Sequence, residues 1–108
     1  MSGSSGGGGS WVTDEEIACD ILRFDAQIVS PNPAVVPTLR VGDILDVVIA
    51  ASSGTQEIQV LTAAGALVGG LLANKVQRLR ECMLESHGYR ATVLAINSGQ
   101  VRVAVKHA

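Results

Sequence analysis

"EIQVLTAAGALVGGLLANKVQRLRECMLESHGYRATVLAI", residues 57–96, decides the fold. At its start Ile58 and Val60 alternate with Glu57 and Gln59, the period of a half-buried strand, here spanning about 56–62. "AAGA" places Gly65 where a hairpin needs positive φ, leading into a second strand, "LVGGLL". Next, Asn74 stands in an N-cap position, and Val76, Leu79, Cys82 and Met83 follow at helical spacing. His87 near the negative end of the dipole and Gly88 as a C′ glycine complete a predicted helix over about 74–87. "YRATVLAI" and "QVRVAVK" then flank "NSG", a hairpin signal, with Val101, Val103 and Val105 on one face of the last strand.

The glycines in this stretch invite two other readings, and both fail. A phosphate-cradling loop needs GxxxxGK[ST]; Gly65 and Gly70 have the spacing, but Leu71 and Leu72 occupy the lysine and hydroxyl positions. A membrane span needs about 20 apolar residues. Residues 58–73 number only sixteen and include Gln59 and Thr62. The glycines are therefore architectural, allowing a strand to bend or lie close to its neighbour.

Working outward, "GDILDVVIAA", 42–51, reads as a strand entered from a Gly-Asp turn, and "SSGT" as the turn after it. Residues 20–29 read as a strand, and Thr13 with Glu16 fits a capping box for a short helical turn before it. Between them "PNPAVVPTL" carries Pro31, Pro33 and Pro37 and cannot pair as a central strand. An irregular connection is expected there, exposing Val35, Val36 and Leu39. The resulting order, β–β–β–β–α–β–β, predicts a mainly β chain: a small six-stranded antiparallel barrel of SH3-like or OB-like style with one helix.

"MSGSSGGGGS", residues 1–10, reads as an expression tag and flexible linker, leaving residues 11–108 as one small domain. No signal peptide follows it, so a cytoplasmic location is the expectation. Cys19 and Cys82 are far apart, with no CxxC or Cys/His spacing. They fit reduced core residues, with a single disulfide as the alternative.

The net charge of −2 argues against general nucleic-acid affinity, but its distribution is uneven. Residues 11–73 hold eight acids and two bases, and residues 74–108 hold six bases and two acids. Lys75, Arg78, Arg80, Arg90 and Arg102 could form a phosphate-binding patch, with Tyr89 stacking on a base; the alternative is a solvated face balanced by Glu81 and Glu85. Only Trp11, Phe24 and Tyr89 are aromatic, too few for strong single-strand binding, so any nucleic-acid affinity is expected to be weak. No catalytic constellation emerges. His87 and His107 lack a nucleophile or ligand-spaced partner in sequence, and Asp43 with Asp46 is better explained by a turn. No metal, cofactor or enzymatic activity is expected.

From Gly42-Asp43 through Ile96 the order of features resembles the HIRAN domain, carried by Ile58 and Val60 in a strand, Gly65 at the turn, and Val68 and Gly69 before Leu71. That resemblance covers about residues 39–97 and implies a six-stranded barrel. For members fused to helicases it also implies capture of single-stranded DNA 3′ ends. The aromatic–acidic pair of those DNA-end binders is replaced by Gly54, Thr55 and Gln56, and the aromatic after their Val-Gly step by Gly70. The leading functional expectation is a non-catalytic interaction module that binds a protein partner or itself, contacting it through Val35, Val36 and Leu39. The alternative is a HIRAN-like single-stranded nucleic-acid binder.

Overall fold

The computed structural model describes residues 17–52 and 55–108. The expected tag and linker, the capping sequence around Thr13, and Ser53 and Gly54 lie outside the described residues. The strands are β1 (Arg23–Val29), β2 (Ile44–Ser52), β3 (Thr55–Leu61), β4 (Leu67–Leu72), β5 (Tyr89–Asn97) and β6 (Gln100–His107), and the helix is α1 (Val76–Leu84). The strands close into an antiparallel barrel in the order β1-β4-β3-β2-β5-β6, with β1 pairing both β4 and β6. The expected mainly β barrel with one helix is what the chain forms.

Alternation explains the closure. Ala26 and Ile28 of β1, Leu45 and Val47 of β2, Ile58 and Val60 of β3, and Val101, Val103 and Val105 of β6 all point inward and are buried. Removing such a Val or Leu from water contributes about 1.5–3 kcal/mol each. The turn after β5 has Ser98 at φ 51° and Gly99 at φ 82°, the paired positive angles of a type I′ hairpin. A bulge breaks the β3–β4 register: Val60 faces Gly69 and Leu61 faces Leu67, so Val68 is the extra residue, and it is fully buried.

The helix is shorter than the sequence suggests, and its ending has a different author. Ser86, not Gly88, adopts the left-handed conformation, at φ 76°. The His87 amide donates to the Cys82 carbonyl at 3.1 Å and the Ser86 amide to Met83 at 3.0 Å, the two bonds of a Schellman motif. This turn places His87 directly over the C-terminal end of the helix. On the core side α1 buries Leu79 and Cys82 completely.

The proline segment is not the exposed loop expected. The Asn32 amide donates to the Val68 carbonyl at 2.9 Å and its side-chain amide to Leu67 at 3.2 Å, tying the segment to β4. A 3-10 turn, Val36–Thr38, then drives Val36 and Leu39 into the core, where both are buried, and Val35 packs half-buried against them. The three residues thus pack in or against the core instead of standing exposed as expected. Cys19 and Cys82 are also not reduced. They form a disulfide that joins the chain ahead of β1 to α1.

Candidate binding groove

A groove of about 680 Å³ runs across the outside of β1, β4 and β3 and is bounded by α1. Its floor is set by Gly70, which lies between Val29 of β1 and Gln59 of β3 in the pairing register. A Cβ at Gly70 would meet only the Ile58 carbonyl oxygen at 3.6 Å and the Val29 side chain at 4.0 Å, ordinary contacts. The missing side chain is therefore not demanded by packing; it leaves open space above the sheet. Around that floor stand exposed aliphatic residues, Val29, Leu67 and Leu72, with Leu72 66% exposed. Val76 and Arg80 of α1 form the helix side of the groove, and Arg80 is steadied by Nε donating to the Gln56 carbonyl at 2.9 Å.

The neighbouring glycine has the opposite character. A Cβ at Gly69 would sit 2.6 Å from Ile28 Cγ2 and 2.7 Å from the Val29 carbonyl oxygen, so glycine is obligatory where β1 and β4 close together.

The basic residues singled out from the sequence are dispersed. Arg80 borders the groove. Arg78 is half-buried and structural: Nε and Nη2 donate to the Ile17 carbonyl at 3.0 and 2.7 Å, while Nη1 meets Glu81 at 3.2 Å. It was expected to be exposed, but its guanidinium anchors the chain before β1. Arg90 of β5 lies 3.9 Å from Asp46, and Arg102 of β6 lies 3.9 Å from Asp25. Because β5 and β6 face β4 and β3 across the closed ring, Arg90 and Arg102 stand on the far side from Arg80. Lys75 occupies the N-cap of α1 without a side-chain capping bond.

Tyr89 cannot stack on a base. It is buried, and its hydroxyl donates to the Cys19 carbonyl. Burial raises its pKa above the ordinary value of 10.0, with Arg78 opposing and Asp20 adding to the rise. The acids Asp43 and Asp46 also separate. Asp43 Oδ2 accepts from the Arg40 amide at 2.9 Å, as a turn residue should, while Asp46 pairs outward.

Sequence reading missed the groove because its floor depends on β1 meeting β4, a pairing no local pattern announces. The "GG" doublet was the available signal, since one glycine satisfies closure and the second is then unexplained.

These features define a six-stranded antiparallel barrel with one helix and a glycine-floored surface groove. No protein family's sequence profile matches the chain, and no curated protein matches it. Among solved structures it is similar to a structural-genomics protein from Lactobacillus plantarum, with a TM-score of 0.57 and 20% identity over 77% of this chain and 89% of that one. That likeness is one of fold.

Proposed function

We propose that this domain is a non-catalytic interaction module that receives an extended protein segment in the groove across β1, β4 and β3. The observation that supports this reading most is Gly70: an outward position on a closed sheet, free of packing demands, left without a side chain amid exposed aliphatic neighbours. Apolar surface gathered in a concavity is what a partner's side chains bury on binding. An extended segment suits the site because alternate side chains would drop beside Val29 and Leu72 along the strand direction. Arg80 adds a cationic hydrogen-bond donor at one edge.

The nucleic-acid alternative is less well supported. Its arginines are split between two sides of the barrel, two of them lie beside carboxylates, and its stacking tyrosine is buried. A surface that neutralises several phosphates needs its cations on one face.

Panning a random peptide display library on the folded domain tests the proposal. Recovered peptides should carry aliphatic residues at alternate positions, and their binding should be lost in Gly70→Leu and kept in Arg90→Glu. Peptides indifferent to Gly70→Leu, or binding of a short single-stranded DNA that Arg90→Glu abolishes, would overturn it.

A further inference from the structure

Away from the groove, three metal-ligating side chains, Cys19, Glu85 and His87, converge near the end of α1, with Cys82 bonded to Cys19 and His107 hydrogen-bonded to His87. Cys19 precedes β1, Cys82 lies in the helix, Glu85 and His87 follow it, and His107 ends β6. Donor atoms of Cys19, Glu85 and His87 all lie within 4.8 Å of one another, and Cys82 Sγ is bonded to Cys19 Sγ. The adjacent donors of a tetrahedral zinc site are about 3.3–3.8 Å apart, given Zn–N near 2.0 Å and Zn–S near 2.3 Å. Two sulfurs released from a disulfide separate to about that same distance, because van der Waals contact then replaces the bond.

A chain of hydrogen bonds settles which imidazole nitrogen is free. His107 Nδ1 lies 3.0 Å from the Ala108 oxygen, which can only accept, so that nitrogen carries the proton when the ring is neutral. His107 Nε2 is then an acceptor. His87 Nδ1, 3.0 Å from it, must be the donor. The lone pair of His87 is left on Nε2. A histidine oriented by a bond from its second nitrogen is the arrangement that metal-ligating histidines usually have. The Schellman turn fixes His87 from the other direction, through its amide bond to the Cys82 carbonyl.

We infer that Cys19, Cys82, His87 and Glu85 form a zinc site when the disulfide is reduced, so that this corner of the fold is held by a disulfide under oxidising conditions and by a metal under reducing ones. A dithiol reductant opens the bond by exchange: it supplies two electrons and two protons, the Cys19–Cys82 bond becomes two thiols, and the reductant closes into its own disulfide. Zinc then displaces both thiol protons, and two Zn–S bonds form. His87 and Glu85 complete the four-coordinate set, while His107 positions His87 without touching the metal. Both states link the chain before β1 to α1. A soft divalent ion is favoured by the two thiolates.

The full chain, reduced with a phosphine and freed of metal, is titrated with zinc chloride by calorimetry and with cobalt(II) by absorbance. The expected result is one ion per chain, thiolate-to-cobalt charge transfer with the strong visible bands of a tetrahedral site, and about two protons released per ion at a pH below the thiol pKa. The oxidised chain should bind neither ion. His87→Gln and Glu85→Gln, both outside the core, should weaken binding by 10-fold or more, and His107→Gln by about 10-fold with the cobalt bands retained. If reduction loosens the fold, zinc should restore the circular dichroism of the oxidised protein. The inference is overturned if the reduced chain shows no charge-transfer band, if oxidised and reduced chains bind equally, if His87→Gln leaves affinity unchanged, or if zinc fails to restore a loosened fold.

Discussion

The two walls of this barrel solve the problem of an outer surface differently. On the β2–β5–β6 wall, β5 and β6 pair over eight positions with one register shift, Arg90 lies beside Asp46 of β2, and Arg102 of β6 reaches across the seam to Asp25 of β1. On the β1–β4–β3 wall, β4 meets each neighbour over three positions, with a bulge on one side. Its outward row carries Gly70 flanked by Val29 and Gln59, with exposed Leu72 beyond. The first wall is matched to water. The second is shaped for something else to lie against it, and α1 is held beside it to supply Val76 and Arg80.

The sharpest way to break that contrast is to release the helix. Cys19 and Cys82 are 63 residues apart, and a cross-link closing a loop of that length stabilises by about 4 kcal/mol in the chain-entropy account. Thermal melts with and without a phosphine reductant, in the presence of a chelator, should show a loss of that size. Equal melting temperatures would mean that α1 is held by packing alone.

The paired glycines come next. Gly69→Ala should cost about 2–3 kcal/mol or more, because its Cβ would strike backbone as well as Ile28. Gly70→Ala should change stability by less than about 0.5 kcal/mol, since its Cβ meets only ordinary contacts. Urea denaturation of the two variants checks this. Similar losses at both positions would remove the distinction between a closure glycine and a groove glycine.

Tyr89→Phe should cost about 1 kcal/mol, the net value of a buried hydrogen bond, here the one to the Cys19 carbonyl. It also carries a pH signature. The folded protein holds the phenolic proton more tightly than the unfolded chain, because burial raises this pKa. The associated stability is complete below the unfolded value of about 10 and is lost as pH rises through the higher folded value. Tyr89→Phe should therefore show a smaller alkaline decline than the parent, measured as midpoint against pH from 8 to about 11. The smallest effect belongs to the charged wall: Arg90→Gln should shift stability by about 0.5 kcal/mol or less, as exposed pairs do.

Much of this fold was legible in local sequence. Alternation at Ile58 and Val60, the "NSG" hairpin and the valines of β6 each announced a strand because period and turn chemistry act over neighbouring residues. What escaped depended on distant partners. Val36 and Leu39 looked exposable until Asn32 was seen tied to β4. Ser86 rather than Gly88 ends the helix because the Schellman bonds close there. Arg78 looked like a surface cation, yet the carbonyl it anchors belongs to residue 17, 61 positions away. The groove and the Cys–His cluster share that origin, since each exists only once the barrel has closed.

The central claim is that the Gly70 floor is a contact surface. Its most direct measurement is the affinity of a peptide selected on the parent domain for the Gly70→Leu variant, with urea denaturation of the same samples. The account predicts that binding falls by at least 10-fold while stability stays within about 0.5 kcal/mol of the parent, because a Cβ at this position meets only ordinary contacts. Unchanged affinity in a stably folded Gly70→Leu domain would contradict it.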